Sequence, residues 1–228
     1  MRQIITLLFL MTSITSFGQG FDFDYNKDFK KILKQTKKSS SDISYVKLLS
    51  RFQNNDTTLS DFEVLSLLIG FTNNEHFKPY RYLKDERKIY SLNGKKKYKE
   101  ALAMCDSFLV FVPLSQKALI EKSYAFHKLE QPDSAQYYMW QFRRIMNAME
   151  ASGDGLTPET AIFSLGPTDG QNYIRKHLAS RIGDMGSGTD KYGNFVDILE
   201  AKRKDEDEGK KQNMYFHIEH ATATMFSD

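Results

Sequence analysis

The chain has 228 residues, enough for one good core or two small ones. Hydrophobic residues make up 40% and aromatic residues 13%, which excludes wholesale disorder. The formal net charge is only +3, with 32 basic side chains against 29 acidic ones, so composition makes no electrostatic case for a nucleic-acid partner.

Arg2 puts a positive charge at the start, and Ile4 to Thr15 (IITLLFLMTSIT) is an apolar run too short to span a bilayer comfortably. Ser16 and Gly18 then supply small residues at the two positions a signal peptidase reads, so residues 1–18 are expected to be a signal peptide cleaved before Gln19. The alternative is a buried N-terminal helix. No cysteine follows the apolar run to take a lipid, and no second long apolar segment predicts a membrane span. The expected localisation is therefore periplasmic or secreted. Cys105 is the one cysteine, which rules out an intramolecular disulfide. With Leu102 and Leu109 on the same helical face, it reads as a packing thiol rather than a nucleophile.

Residues 19–151 have helical periodicity. Phe21 to Tyr25 is a short docked or frayed segment. Asn26 to Lys38 sets Phe29, Ile32 and Leu33 on one side and lysines elsewhere, which predicts an amphipathic helix whose lysines meet either solvent or an anionic surface. Asp42 to Phe52 places Ile43, Val46, Leu49 and Phe52 at helical spacing. Ser60 and Glu63 then form a capping box ahead of a very apolar helix, Asp61 to Phe71, expected at the centre of the core. Gly70 marks either a close approach to a neighbour or a loosened end. Pro79 interrupts the aromatic crossing Phe77 to Tyr82. Further helices are predicted over Lys84–Leu92, Lys95–Val112, Ser115–Leu129 and Asp133–Ala151, divided by Asn93-Gly94, Pro113 and Gln131-Pro132.

Within this region Ala101 and Ala135 lie 34 residues apart, each ringed by large apolar residues at helical spacing. The first set is Tyr98, Leu102, Cys105, Phe108 and Leu109; the second is Tyr138, Met139, Phe142 and Ile145. A small residue at one register lets helices approach closely while the large ones fill the seam. The period is similar to that of a tetratricopeptide-type helix pair. In such a repeat the first helix of each pair lines a concave face, which would carry Leu83, Glu86, Tyr90 and Asn93, then Lys117, Ile120, Tyr124 and His127. Tyr90, Asn93, Lys117, Tyr124 and His127 are the candidate partner-binding residues, because rings beside polar groups supply buried area at little entropic cost. The alternative is that Tyr90 and Tyr124 pack against the C-terminal unit and cover its sheet. The lysine–asparagine clamp of some such repeats is not matched, since Glu86 and Ile120 occupy its positions.

At Ser152-Gly153-Asp154-Gly155 the pattern changes to short runs and frequent glycine. Residues 152–228 are expected to form a small α+β unit, with strands at Ala161–Leu165, Phe195–Ala201 and Met214–Glu219 and a short helix at Gly170–Ala179. The charged run KRKDEDEGKK, residues 202–211, reads as an exposed hairpin loop. The fold class is thus α+β: a helical, tetratricopeptide-like N-terminal two-thirds followed by a small β-containing C-terminal unit.

Chemistry-bearing motifs are few. His217 and His220 in HIEH, if both on a strand, point to opposite faces and do not ligate one metal together. DEDEG lacks the spacing of a calcium loop, and GDMGSG lacks the strand–loop–helix setting of a phosphate loop. SGDGLTPET reads as glycine-made turns followed by a Thr157-capped helical turn with Pro158 at its first position, although Asp154 leaves a bound calcium open. No cofactor, metal site or catalytic residue is predicted.

Several blocks together, LLSRFQNNDTTLSDFEVLSLLIGF, HFKPY, SGDGLTPETAIFSL and the pair VDILEA and MYFHI, resemble a domain-of-unknown-function family of exported Bacteroidota proteins. The chain departs from that pattern after AIFSL, where GPTDGQNY replaces an acidic-aromatic stretch. The resemblance implies an exported protein with a helical part followed by a β part, and implies no reaction. The leading expectation for function is an exported, non-catalytic protein acting by protein–protein contact in the cell envelope, with an unknown protein partner and no nucleic acid. The alternative is an envelope hydrolase, or a glycan- or peptide-binding protein, with its site at the junction of the two parts. A convergence of Asp154, Glu159 and a histidine in one pocket would favour that alternative.

Overall fold

The computed structural model describes residues 21–202 and 211–225. The expected signal peptide and residues 203–210 of the charged run lie outside the described residues.

Seven helices come first: α1 (Tyr25–Thr36), α2 (Tyr45–Gln53), α3 (Asp61–Phe71), α4 (Leu83–Gly94), α5 (Tyr98–Phe111), α6 (Gln116–Lys128) and α7 (Pro132–Ala151). Their starts follow from local chemistry. Asp24 accepts from the backbone N–H groups of Asn26 and Lys27 at the head of α1, and Ser115 accepts from Ala118 N at the head of α6. Ser60 and Glu63 form the expected capping box of α3. Pro132 opens α7 at its first turn, where its missing N–H has no helical partner to lose.

α3 is the hub. Every residue from Val64 to Phe71 is buried, because α1, α2 and α7 all pack against this helix and its surface is apolar on every side. A methyl group built on Gly70 would stand 3.1 Å from both the Thr36 Cβ of α1 and the Tyr45 ring of α2, so the glycine marks a close approach. α4–α5 and α6–α7 follow as two helix pairs, with α6 packed on α4, α5 and α7. Ala101 and Ala135 are buried at the two related positions.

The C-terminal part contains β1 (Ile162–Phe163), α8 (Pro167–Asn172), a π-helical turn (Tyr173–His177), β2 (Arg181–Thr189), β3 (Phe195–Lys202), β4 (Lys211–His217) and α9 (Glu219–Thr222). The four strands form one sheet in the order β1-β4-β3-β2, with β1 parallel to β4 and the other pairs antiparallel. β3 and β4 pair as a hairpin out to Lys202 opposite Lys211, at the two ends of the charged run. Gly170 lets α8 lie on the sheet: a methyl there would meet the Phe216 ring at 2.9 Å. One hydrophobic cluster continues from α1 and α3 through α7 into Ile162, Phe163, Leu199 and Phe216.

The chain is α+β as expected, and the differences from the sequence reading are local. On α2 the buried residues are Leu48 and Phe52, while Val46 is 73% exposed, so the face is set by the i, i+4 stripe and not by threefold spacing. α4 runs on through Asn93 and Gly94, and the turn falls at Lys96, which takes φ 58°. GDMGSG is strand, the middle of β2. The short helix starts at Pro167, three residues before the expected Gly170.

His217 and His220 share one environment. The last strand stops at His217, and Ile218 turns the chain into α9. His217 therefore meets an aromatic ring of α1, and His220 meets rings of both α1 and β1. His217 stacks on Tyr25 at 4.4 Å and His220 on Phe163 at 4.6 Å. His220 Nε2 donates to Ser164 O at 2.7 Å, which leaves Nδ1 to accept from the Tyr25 hydroxyl at 3.1 Å. Burial lowers the pKa of His220 to about 3 and of His217 to about 4, so both rings are neutral at pH 7.

Candidate functional site

α4, α6 and α7 turn one side each toward a groove of about 680 Å³. Tyr90, Asn93 and Gly94 come from α4; Ile120, Glu121, Tyr124 and His127 from α6; Ala135, Met139 and Arg143 from α7. The three- and four-residue intervals along each helix put these positions on one face. Lys176, from the π-helical turn of the C-terminal part, closes the rim. A second depression of about 410 Å³ meets the first at Tyr90 and Lys176 and adds Arg87, Lys117, Thr168 and Arg175. The combined groove thus runs from the helix pairs onto the C-terminal part.

Four of the five candidate residues, Tyr90, Asn93, Tyr124 and His127, line the larger depression, and Lys117 lines the adjoining one. Tyr90 is 58% exposed and Tyr124 43% exposed, so neither ring is sealed beneath the sheet. Asn93 differs from expectation. It is buried, and its Nδ2 donates to Glu121 O at 2.9 Å and to Glu121 Oε2 at 2.8 Å, tying α4 to α6 beneath the groove. Lys117 Nζ lies 4.2 Å from the Tyr90 ring centre and 3.1 Å from Glu121 Oε1. Tyr90, Lys117, Glu121 and Asn93 therefore form one continuous polar chain in the floor.

Glu86 lies behind this floor. Its carboxylate accepts from Ser115 Oγ at 2.8 Å and from Thr168 Oγ1 at 3.1 Å, which joins α4, the head of α6 and α8. Burial raises its pKa, and burial together with the charge of Glu86 raises that of Asp169, whose Oδ2 accepts from Leu165 N at 3.0 Å. These two carboxyl groups tie α4, the head of α6 and α8 to one another and to the backbone at Leu165.

The basic side chains Arg87, Arg143, Arg175 and Lys176 on the groove have no ion-pair partner among the described residues. The sequence reading missed all four. The one available signal was the Arg175-Lys176-His177 run, and nothing in one dimension folds that run back over α6.

Asp154 and Glu159 line a separate depression with Asp22, Asp24 and Glu150. Asp154 Oδ1 is already engaged, accepting from Leu156 N at 2.9 Å and from Thr160 Oγ1 at 2.5 Å. Thr157 caps the short turn Pro158–Thr160 as expected. Among the described residues no group of three or more His, Cys, Asp and Glu side chains is arranged to hold a metal ion. Cys105 is fully buried, donates weakly to Ala118 O at 3.6 Å, and has its pKa pushed up to about 12 by burial. No helix among the described residues is long and apolar enough to cross a membrane.

Residues 30–225 match the family described as Domain of unknown function (DUF4919), and the chain belongs to that family. No curated protein and no solved structure matches it.

Proposed function

We propose that this protein is exported to the bacterial cell envelope and works there without catalysis, by receiving a partner protein in the groove. The observation that carries this reading is the gathering of Tyr90, Tyr124, Lys117 and His127, from two helices, along two adjoining open depressions with half-exposed rings. Rings held on rigid helices offer large contact area with little entropy to lose, which is what partner surfaces use. The charge–apolar–small order of residues 1–18 supports export, and the family resemblance supports a Bacteroidota envelope. The two stacked helix pairs with buried Ala101 and Ala135 support a tetratricopeptide-type concave face.

The test is a pull-down from envelope extract with the mature chain and with Tyr90→Ala/Tyr124→Ala. A partner retained by the wild type and lost by a double variant of unchanged circular dichroism supports the groove. The same partners on both proteins would sink the reading.

A further inference from the structure

We infer that the groove takes an extended acidic peptide segment, one that places carboxylate side chains beside an apolar residue. This rests on the groove being a partner-binding surface and names the chemistry of what it binds.

Five basic side chains line the two depressions, against two carboxylates. Neither carboxylate is free to neutralise them. Glu121 is only 6% exposed and is taken by Lys117 and Asn93, while Glu86 is half-buried and accepts from the hydroxyls of Ser115 and Thr168. Arg87, Arg143, Arg175 and Lys176 remain, one from α4, one from α7 and two from the π-helical turn. The whole chain carries a net charge of only +3, so this is a local concentration. Like charges held around one depression repel, and an anionic occupant relieves that repulsion. Three of the four are arginines, whose planar forks match carboxylates in two-point contacts.

Charge alone would suit any polyanion. The same groove also has an apolar stretch, Ile120, Tyr124 and Met139, next to the Tyr90 ring. An apolar side chain fills that stretch, and methionine adapts to its shape. A sulfated glycan brings charge without such a side chain; an acidic peptide brings both. The chain's own mapping of charge is also unlike a repeat clamp, because half of the free cations come from the C-terminal part.

The experiment is selection of a displayed random dodecapeptide library on the immobilised mature chain. Wild type, Arg175→Glu/Lys176→Glu and Arg143→Glu are run in parallel, each checked by melting temperature. The expected wild-type pool is enriched at least about twofold in Asp and Glu, with an aromatic or aliphatic residue nearby. An individual selected peptide is expected to lose roughly tenfold in affinity on either charge-reversed protein, the worth of about one such contact. Its Asp and Glu replaced by Asn and Gln should cost at least as much. Peptides enriched in apolar residues without acids, and binding all three proteins alike, would overturn the acidic assignment yet leave a peptide groove standing. Heparin binding with no peptide enrichment would assign the surface to an anionic glycan and overturn both. No enrichment on any protein also overturns the proposal.

Discussion

The histidine–aromatic joint and the basic groove both lie where the helices meet the C-terminal part, and they are built in opposite ways. In the joint, Tyr25, Phe163, His217 and His220 stack ring on ring, and the hydrogen-bonding groups of Tyr25 and His220 are matched across α1, β1 and α9. In the groove, two rings stand half exposed and four cations have no ion-pair partner among the described residues. A junction made only for stability would be filled like the joint throughout. The contrast separates groups used internally from groups left available.

The largest effect is expected at His220. Replacing it with Phe keeps the stack on Phe163 but strands the Tyr25 hydroxyl and the Ser164 carbonyl, both buried. Each stranded group costs about 1–3 kcal/mol, so His220→Phe should lose roughly 2–6 kcal/mol in urea denaturation. His217→Phe is the control. Its Nδ1 has no hydrogen-bond partner, so Phe removes an unmatched polar atom and should stay within about 1 kcal/mol of wild type. Equal losses in the two variants would show that ring shape, not hydrogen bonding, holds the joint.

Acid should weaken the same joint. Both histidines have folded pKa values below the unfolded value of 6.5, so the unfolded chain binds protons first as pH falls. Their contribution is intact above about pH 6.5 and is lost on the way down through about 4 for His217 and about 3 for His220. The slope is about 1.4 kcal/mol per pH unit for each histidine within that window. Asp197 acts in the opposite sense. Burial raises its pKa from 3.8 to about 6, so its contribution is full below 3.8 and is lost as pH rises through about 6. Glu86 and Asp169, also raised by burial, share that sign. Asp197→Asn should therefore raise stability at pH 7 and steepen the fall between pH 6 and 4, read as melting temperature against pH. A variant profile parallel to wild type would remove Asp197 from this balance.

How much of this was legible in the sequence depended on the distance over which each feature is decided. The Ser60–Glu63 box is set within one turn of helix and is legible directly, and Ser115 and Pro132 are legible as helix boundaries. The close approach at Gly70, by contrast, is decided by Thr36 and Tyr45 on other helices and stands open in the sequence. β2 is set from elsewhere. It is an edge strand with largely exposed side chains, so it carries no alternation to read and exists through its pairing with β3. Val46 and Leu48 differ in burial because of where α3 lies, which helical spacing alone does not supply. His217 and His220 face one cluster because Ile218 bends the chain between them. In the groove, the aromatic stripe on α4 and α6 was visible as periodicity, whereas Arg175 and Lys176 reach it only through the fold of α8 and the turn after it.

The smallest stability effect, and the sharpest use of the comparison, belongs to Tyr90→Ala/Tyr124→Ala. If the tyrosines are surface offered to a partner, truncating them costs under about 1 kcal/mol, in line with exposed positions away from caps and cores. If they instead cover the sheet, each loss resembles an aromatic deletion from a core, about 3 kcal/mol or more. Tyr90 keeps the ammonium of Lys117 over its ring and Tyr124 meets Tyr98 edge-on at 6.2 Å, contacts made on the helical side of the groove and not with the strands. A small loss in urea denaturation accompanied by loss of the bound partner therefore assigns the rings to recognition. A loss as large as that of His220→Phe would make the groove a second structural joint, and the free cations around it would then need another explanation.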